Sequence, residues 1–220
     1  MYKSAGVSRT DDGFAVELDG RPVKTPAKNV LVLPGRPLAD AIAAEWEEQG
    51  EDIDAHAMRL TRLANSTIDR VVEHRAAVIS EIAGYANTDL VCYRAAEPEA
   101  LAQQQKSGWD PLVAWLQDHY GIALLTTTSL LPIEQKRSSI DAVESAVAES
   151  DPFTLAGLHL VTVSCGSVVI GLAALAGRID GTAAWELSLI DETYQIDEWG
   201  EDPEATKRRK GLLEDINAAT

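Results

Sequence analysis

The sequence is poor in the features that announce chemistry. Its only two cysteines in 220 residues, Cys92 and Cys165, lie far apart, form no CxxC pair and have no histidine at metal-site spacing. Two reduced, buried thiols are therefore expected, with no metal. There is no GxGxxG or GxxxxGK[ST] loop to cradle phosphates, no HExxH and no GxSxG elbow. Cys165-Gly166-Ser167 comes nearest to a nucleophile motif, but it stands in an apolar run without an adjacent base. Gly166, Ser167, Gly171 and Ala174 are better suited to close helix packing. The four histidines, His56, His74, His119 and His159, are scattered, and none is read as catalytic. His159 reads as a hydrogen-bonded core residue. No cofactor is implied.

Positive charge is also scarce. Nineteen Lys and Arg face 35 Asp and Glu, for a formal net charge of -16. A nucleic-acid binder needs the opposite bias, and an anionic membrane surface would repel the chain. The charge favours solubility and would suit a basic partner face. Met1 to Gly6 shows neither an apolar signal core nor an Arg-rich presequence. A bacterial cytoplasmic protein, or a processed organellar one, is expected.

A hydrophobic fraction of 45% with 25% charged residues points to a folded chain rather than a disordered one. Residues 153–177 contain no Asp, Glu, Lys or Arg, a length that could cross a bilayer. However, Thr154, His159, Thr162, Ser164 and Ser167 interrupt it, and Asp151-Pro152 before it is a helix start. It reads as one helix wrapped by others, with no stable membrane insertion.

The periodicity predicts an α+β protein: a small N-terminal β-meander and helix domain, residues 1–85, then a mostly helical bundle, residues 86–220. Residues 13–18 alternate apolar and polar, Asp19-Gly20 supplies a tight turn, and residues 21–25 return. A third strand spans 29–33. Leu38, Ile42 and Trp46 give a helix one apolar stripe. A second helix is expected from about Leu60 to Ala86. Residues 97–120 are helical, with Asp110-Pro111 restarting or kinking them. Helices are further expected over 134–149, 153–175 and 180–199, and in the charged tail.

Two acidic clusters stand out. Residues 40–54 hold seven acids and no bases. Residues 191–202 place Asp191 and Glu192 beside Leu189, Ile190 and Ile196, and Lys207-Arg208-Arg209-Lys210 follows. Carboxylates beside an apolar stripe suit a solvated face, an ion pair, proton transfer or a recognition surface. A carboxylate-rich helical enzyme, metal-dependent or not, is the alternative these clusters leave open.

Several segments, in order, resemble one family. They are Leu18-Asp19-Gly20-Arg21-Pro22-Val23-Lys24-Thr25-Pro26, then Ala43-Ala44-Glu45-Trp46, then Leu60 to Asp69 with Asn65. Next come Thr88-Asp89-Leu90-Val91-Cys92-Tyr93-Arg94, Trp109-Asp110-Pro111, and Tyr194-Gln195-Ile196 with Trp199-Gly200. The resemblance is to the ATP synthase assembly factors that chaperone the F(1) α subunit. It implies a small α/β domain with a helical bundle, and a chaperone rather than an enzyme. The partner implied is the free α subunit, held until the β subunit arrives. It further implies a monomer when free, cytoplasmic in bacteria, with eukaryotic members in the mitochondrial matrix. The family's functional glutamate corresponds best to Glu192, with Asp191 one position away. With Tyr194 and Trp199 these are the expected partner-binding residues. Leu189 stands where members often carry Arg. Trp46, Asn65, Asp89, Trp109 and Asp110 are carried over as motif residues, with Trp46 read mainly as a core anchor.

Overall fold

The computed structural model describes residues 2–200 and 202–220. Met1, and Glu201 of the acidic run, lie outside them. The chain divides into two compact units, Met1–Arg75 and Ala76–Thr220. The α+β class is as expected from sequence, with a small antiparallel sheet followed by helices.

In the first unit, β1 (Ala5–Thr10) pairs along its full length with β2 (Gly13–Leu18), antiparallel. The sequence reading began the sheet at Gly13. It missed β1 because Ala5–Thr10 has one bulky apolar residue, Val7, and so little alternation. The Asp19-Gly20 turn forms as expected: φ is 50° and 75°, and Leu18 pairs with Arg21 across two residues. Both positions need positive φ, which Asp tolerates and Gly adopts freely. Regular pairing on the return strand stops early, at β3 (Arg21–Pro22), because Pro22 has no amide donor and is exposed. The third strand shortens to β4 (Val32–Leu33), which also pairs with β2.

Helix α1 (Arg36–Glu47) buries Ala39, Ile42 and Ala43, and the sheet buries Ala15, Val16 and Leu33. The expected long second helix is instead broken. It runs as α2 (Arg59–Ser66), a π turn at Thr67–Val71, and α3 (Arg75–Gly84), which begins at the division between the units. Two carboxylates organise these pieces. Glu45 accepts from the Leu60 and Thr61 amides, at 2.7 and 2.8 Å, and from the Thr61 hydroxyl at 2.7 Å. It thereby caps α2, which has no side-chain cap of its own. Asp69, on the π turn, accepts from the Thr25 hydroxyl (2.6 Å), the Asn29 amide group (2.9 Å) and the Ala27 amide (3.0 Å). The Thr25 bond, with those from Asn29 and Ala27, holds the Asp69 carboxyl below its usual range.

In the second unit, α4 (Glu99–Tyr120) continues through Pro111 rather than restarting there. After α5 (Arg137–Ala148), the uncharged stretch is two helices and not one. Asp151 caps α6 (Pro152–Cys165) by accepting from the Phe153 and Thr154 amides, as its sequence position implied. Gly166 ends α6 at φ 66°, and the Ser167 hydroxyl caps α7 (Val168–Leu175) by accepting from the Ile170 amide. Every residue of α7 from Val168 to Ala174 is buried. Among the described residues, no helix is long and apolar enough to cross a membrane. Of the small residues picked out for packing, Gly171 serves that purpose: an added Cβ would stand 2.5 Å from Thr162 Oγ1. Gly166 serves the turn instead. His159 is not a core residue, since its ring is a third exposed and meets Glu81 at 3.2 Å.

Asp89 pins this break. Its fully buried carboxylate accepts from the Ser167 hydroxyl (2.6 Å), the Val91 amide (3.1 Å) and the Val169 amide (3.2 Å). The Leu90 amide adds a bond to the Gly166 carbonyl. Residues 90–92, of undecided type in the sequence, form a 3-10 turn started by Asp89. Burial pushes the Asp89 carboxyl up to about 6, against the hydrogen bonds that favour its charged form.

Two predictions follow from this packing. Asn at position 89 keeps acceptor capacity but turns an amide donor toward backbone N–H groups. Asp89→Asn should cost about 1–3 kcal/mol at pH 7 in urea titrations. Because the folded pKa is raised, the native state binds the proton more tightly. The stability of the wild type relative to Asp89→Asn should therefore fall by about 2–3 kcal/mol from pH 4 to pH 6, then level off. A flat difference would contradict this. Gly171→Ala should destabilise by about 1–3 kcal/mol through overpacking. Thr162→Ala in the same chain should recover part of that loss, since Thr162 Oγ1 is buried without a partner.

Candidate partner-binding surface

The C-terminal acids lie on α9 (Ile190–Trp199), which follows α8 (Gly181–Ser188) after a break at Leu189 and precedes α10 (Pro203–Ala219). The sequence reading joined α8 and α9 into one helix. Leu189, at φ -112°, leaves the helical region and separates them. No residue of α9 is buried. Ile190, Tyr194 and Ile196 are half-buried, and three successive polar side chains add specific bonds to this partial packing.

Asp191 accepts from Gln105 Nε2 at 2.6 Å, and the buried Gln105 in turn accepts from the Ala95 amide at 2.7 Å. Both oxygens of Glu192 accept from Arg208 Nη2, at 2.7 and 2.8 Å. Thr193 Oγ1 accepts from Arg209 Nη2 at 2.8 Å. The Arg209 guanidinium lies over Trp185, 5.3 Å from the ring centre, and the Trp185 indole donates to the Arg209 carbonyl. The basic run of α10 thus faces the acidic run of α9. Glu192 has an ion partner in Arg208, sixteen residues on, rather than at Leu189.

Tyr194 is half-buried on the same helix. Trp199, at its C-terminal end, is 79% exposed. Little of this tryptophan is covered by its own chain.

The motif residues Trp109 and Asp110 stand behind this surface. Trp109 is fully buried and its indole donates to the Leu187 carbonyl at 2.8 Å. Arg94 lies over the Trp109 ring at 5.2 Å and pairs with Asp110 at 3.0 Å. Beside them, Gly108 has no room for a side chain: a Cβ would meet Leu187 and Ile190 at 2.8 and 2.9 Å. Trp109, Asp110 and Asp191 are thus brought together around α4, while Trp199 extends away.

Trp46 and Asn65 belong to the first unit. Trp46 is half-buried, and its ring meets Tyr2 edge-on at 5.9 Å while its carbonyl accepts from the Tyr2 hydroxyl. Its indole nitrogen is shielded without a partner, as is Asn65 Oδ1. Sequence reasoning passed over Gln105 and did not give Glu45 or Arg208 a structural role. Glu45 stood in a motif segment, and Arg208 in a basic run sixteen residues from an acid.

Burial pushes the Cys92 thiol up to about 12 and the Cys165 thiol up to about 11, so both are protonated and inert. Among the described residues, no group of three or more His, Cys, Asp or Glu is placed to hold a metal ion.

The family model described as "ATP12 chaperone protein" matches residues 1–117. "Protein atp12, mitochondrial" of Schizosaccharomyces pombe is 22% identical over 212 residues, covering 91% of this chain and 73% of that protein. The crystal structure of Atp12 from Paracoccus denitrificans is 41% identical with a TM-score of 0.94, covering all of this chain and 94% of that one. The Atu1473 protein of Agrobacterium tumefaciens is 36% identical, also with a TM-score of 0.94, over all of this chain and 82% of that one. With its first half matched by the family model and its whole length by these folds, the chain belongs to the ATP12 chaperone protein family, whose members are assembly chaperones of ATP synthase and not enzymes.

Proposed function

We propose that this chain binds the free α subunit of the F(1) sector, shields the surface that this subunit turns to its neighbours, and yields it to the β subunit. Subunit interfaces in a permanent complex are large and apolar, and an unassembled one invites aggregation. A chaperone for such a surface needs its own exposed anchor. The observation that carries the reading is α9, a helix with no buried residue, tethered by polar bonds and ending in the open Trp199. Aromatic side chains of this kind dominate interface energies. In this reading Glu192, Asp191 and Tyr194 line the contact around Trp199. The chain is a monomer when free and works in the cytoplasm of a bacterium.

Co-expression with the α subunit of the same organism should yield a one-to-one complex. Added to purified α subunit, the chain should suppress its aggregation, measured by light scattering. Equal aggregation with and without it would overturn the proposal.

Glu192 separates a working role from a structural one. The Glu192–Arg208 pair is partly exposed, so its loss should lower stability by no more than about 1 kcal/mol. Glu192→Lys should leave the helical circular dichroism intact while weakening capture of the α subunit about tenfold or more. Exchanging the charges, Glu192→Lys with Arg208→Glu, restores the pair but not the local charge pattern. Binding recovered by the exchange would recast Glu192 as a residue that only holds α9 in place.

A further inference from the structure

The loop between α4 and α5 presents two of the three most exposed large apolar side chains among the described residues. Leu130 is 103% exposed and Leu131 74%, and Leu125 on the same loop is 45% exposed. Single exposed leucines are ordinary, but two in succession at a loop tip bring apolar surface to water with no return from their own fold. Segment 121–133 also carries no charged residue, in a chain with net charge -16.

The tip is held firmly from below. Thr127 bridges to residues 92 and 94: its amide donates to the Cys92 carbonyl and its carbonyl accepts from the Arg94 amide, both at 2.8 Å. Its hydroxyl accepts from the Ser129 amide at 2.9 Å, and the Ser129 hydroxyl accepts from the Leu131 amide at 3.0 Å. On the far side the Ile133 amide donates to the Tyr93 hydroxyl. Gln135 clasps both backbone groups of Leu125, at 2.8 Å each. Ordering entropy for this loop is therefore spent in folding rather than in binding, which is the condition for a preorganised anchor.

We infer that Leu130 and Leu131 form a second contact with the client subunit, inserting into an uncharged apolar pocket of its assembly surface. The inference rests on the proposed chaperone reading and adds a site on a different element from α9. The lack of charge over 121–133 fixes the chemistry of the occupant. An anionic chain that keeps one exposed segment neutral matches an apolar pocket there and leaves its acids to meet polar or basic ground around it. A second copy of the chain fits poorly. A stable dimer buries about 1,200 Å² or more, beyond what two leucines supply, and both copies would be strongly negative. A membrane surface fits poorly for the same reason of charge.

The test is a double variant, Leu130→Ser with Leu131→Ser, beside a control, Val72→Ser, at an exposed apolar position on the first unit. Because both leucines are exposed, the melting temperature should not move. Affinity for purified α subunit should fall about tenfold or more in the double variant and stay unchanged in the control. Equal binding by wild type and double variant overturns the inference and leaves the chaperone reading standing. A matching loss in the control also overturns it, since the leucines would then add only general stickiness. A wild-type chain that captures no α subunit overturns both. If the wild type alone is dimeric by light scattering and the double variant monomeric, or if only the wild type pellets with anionic vesicles, the occupant assigned to the tip is wrong.

Discussion

Asp89 brings a carboxylate to a place without water, and the second unit is arranged to receive it. Burying a charge is expensive unless donors replace the lost solvent. Here one hydroxyl and two backbone amides do so, and those amides come from segments far apart in sequence. The Val169 amide is free to bond because Gly166 has just ended one helix and Ser167 has started the next. A continuous apolar helix through residues 153–175 would have no open amides at that point. The break in the most hydrophobic part of the chain, and the position of the 3-10 turn at residues 90–92, are therefore one constraint seen from two sides.

The same device recurs in the first unit. Glu45 closes the start of α2, and Asp69 closes the turn at residues 25–29. Each carboxylate satisfies backbone groups of a remote segment, which is a strong, charge-assisted form of hydrogen bond. Two of these clamps join motif segments to each other, Thr25 with Asp69 and Glu45 with Thr61, while Asp89 joins one to Ser167 at the α6–α7 break. What looked in the sequence like one solvated acidic cluster over residues 40–54 contains, at Glu45, a structural cap.

The parts of the fold legible in the sequence were those set by local chemistry. The Asp19-Gly20 turn, the Asp151 cap, the buried apolar run and the α+β division each follow from a few neighbouring residues. The parts that were not legible depend on remote partners. Strand β1 has too little alternation to show itself and exists because β2 offers it a full ladder. The π turn at residues 67–71 lies within a helical pattern and shows its purpose only once Asp69 is seen facing Thr25. The joints at Gly166 and Leu189 were lost because apolar periodicity runs through both. At the candidate site the acids were visible, but their partners were not. Gln105 is a neutral residue whose role appears only when α4 and α9 are packed.

That difference between clamps and surface bears on how a chaperone can remain soluble yet hold an apolar client. Asp89 and Trp109 are consumed in the fold, so changes there act on stability first. Helix α9 is attached the other way round. Asp191, Glu192 and Thr193 help fix it through side-chain bonds to Gln105, Arg208 and Arg209, and Trp199 is left open at its end. Aromatic surface that the fold does not need is surface available to a partner. The surrounding acids would oppose the approach of a second copy, since like charges repel over about 8 Å in physiological salt. On the proposed reading, an apolar anchor on a polar tether within a negative field would oppose self-association while admitting a neutral or basic client. The polar tether also leaves α9 sensitive to charge in a way that a helix docked by leucines would not be.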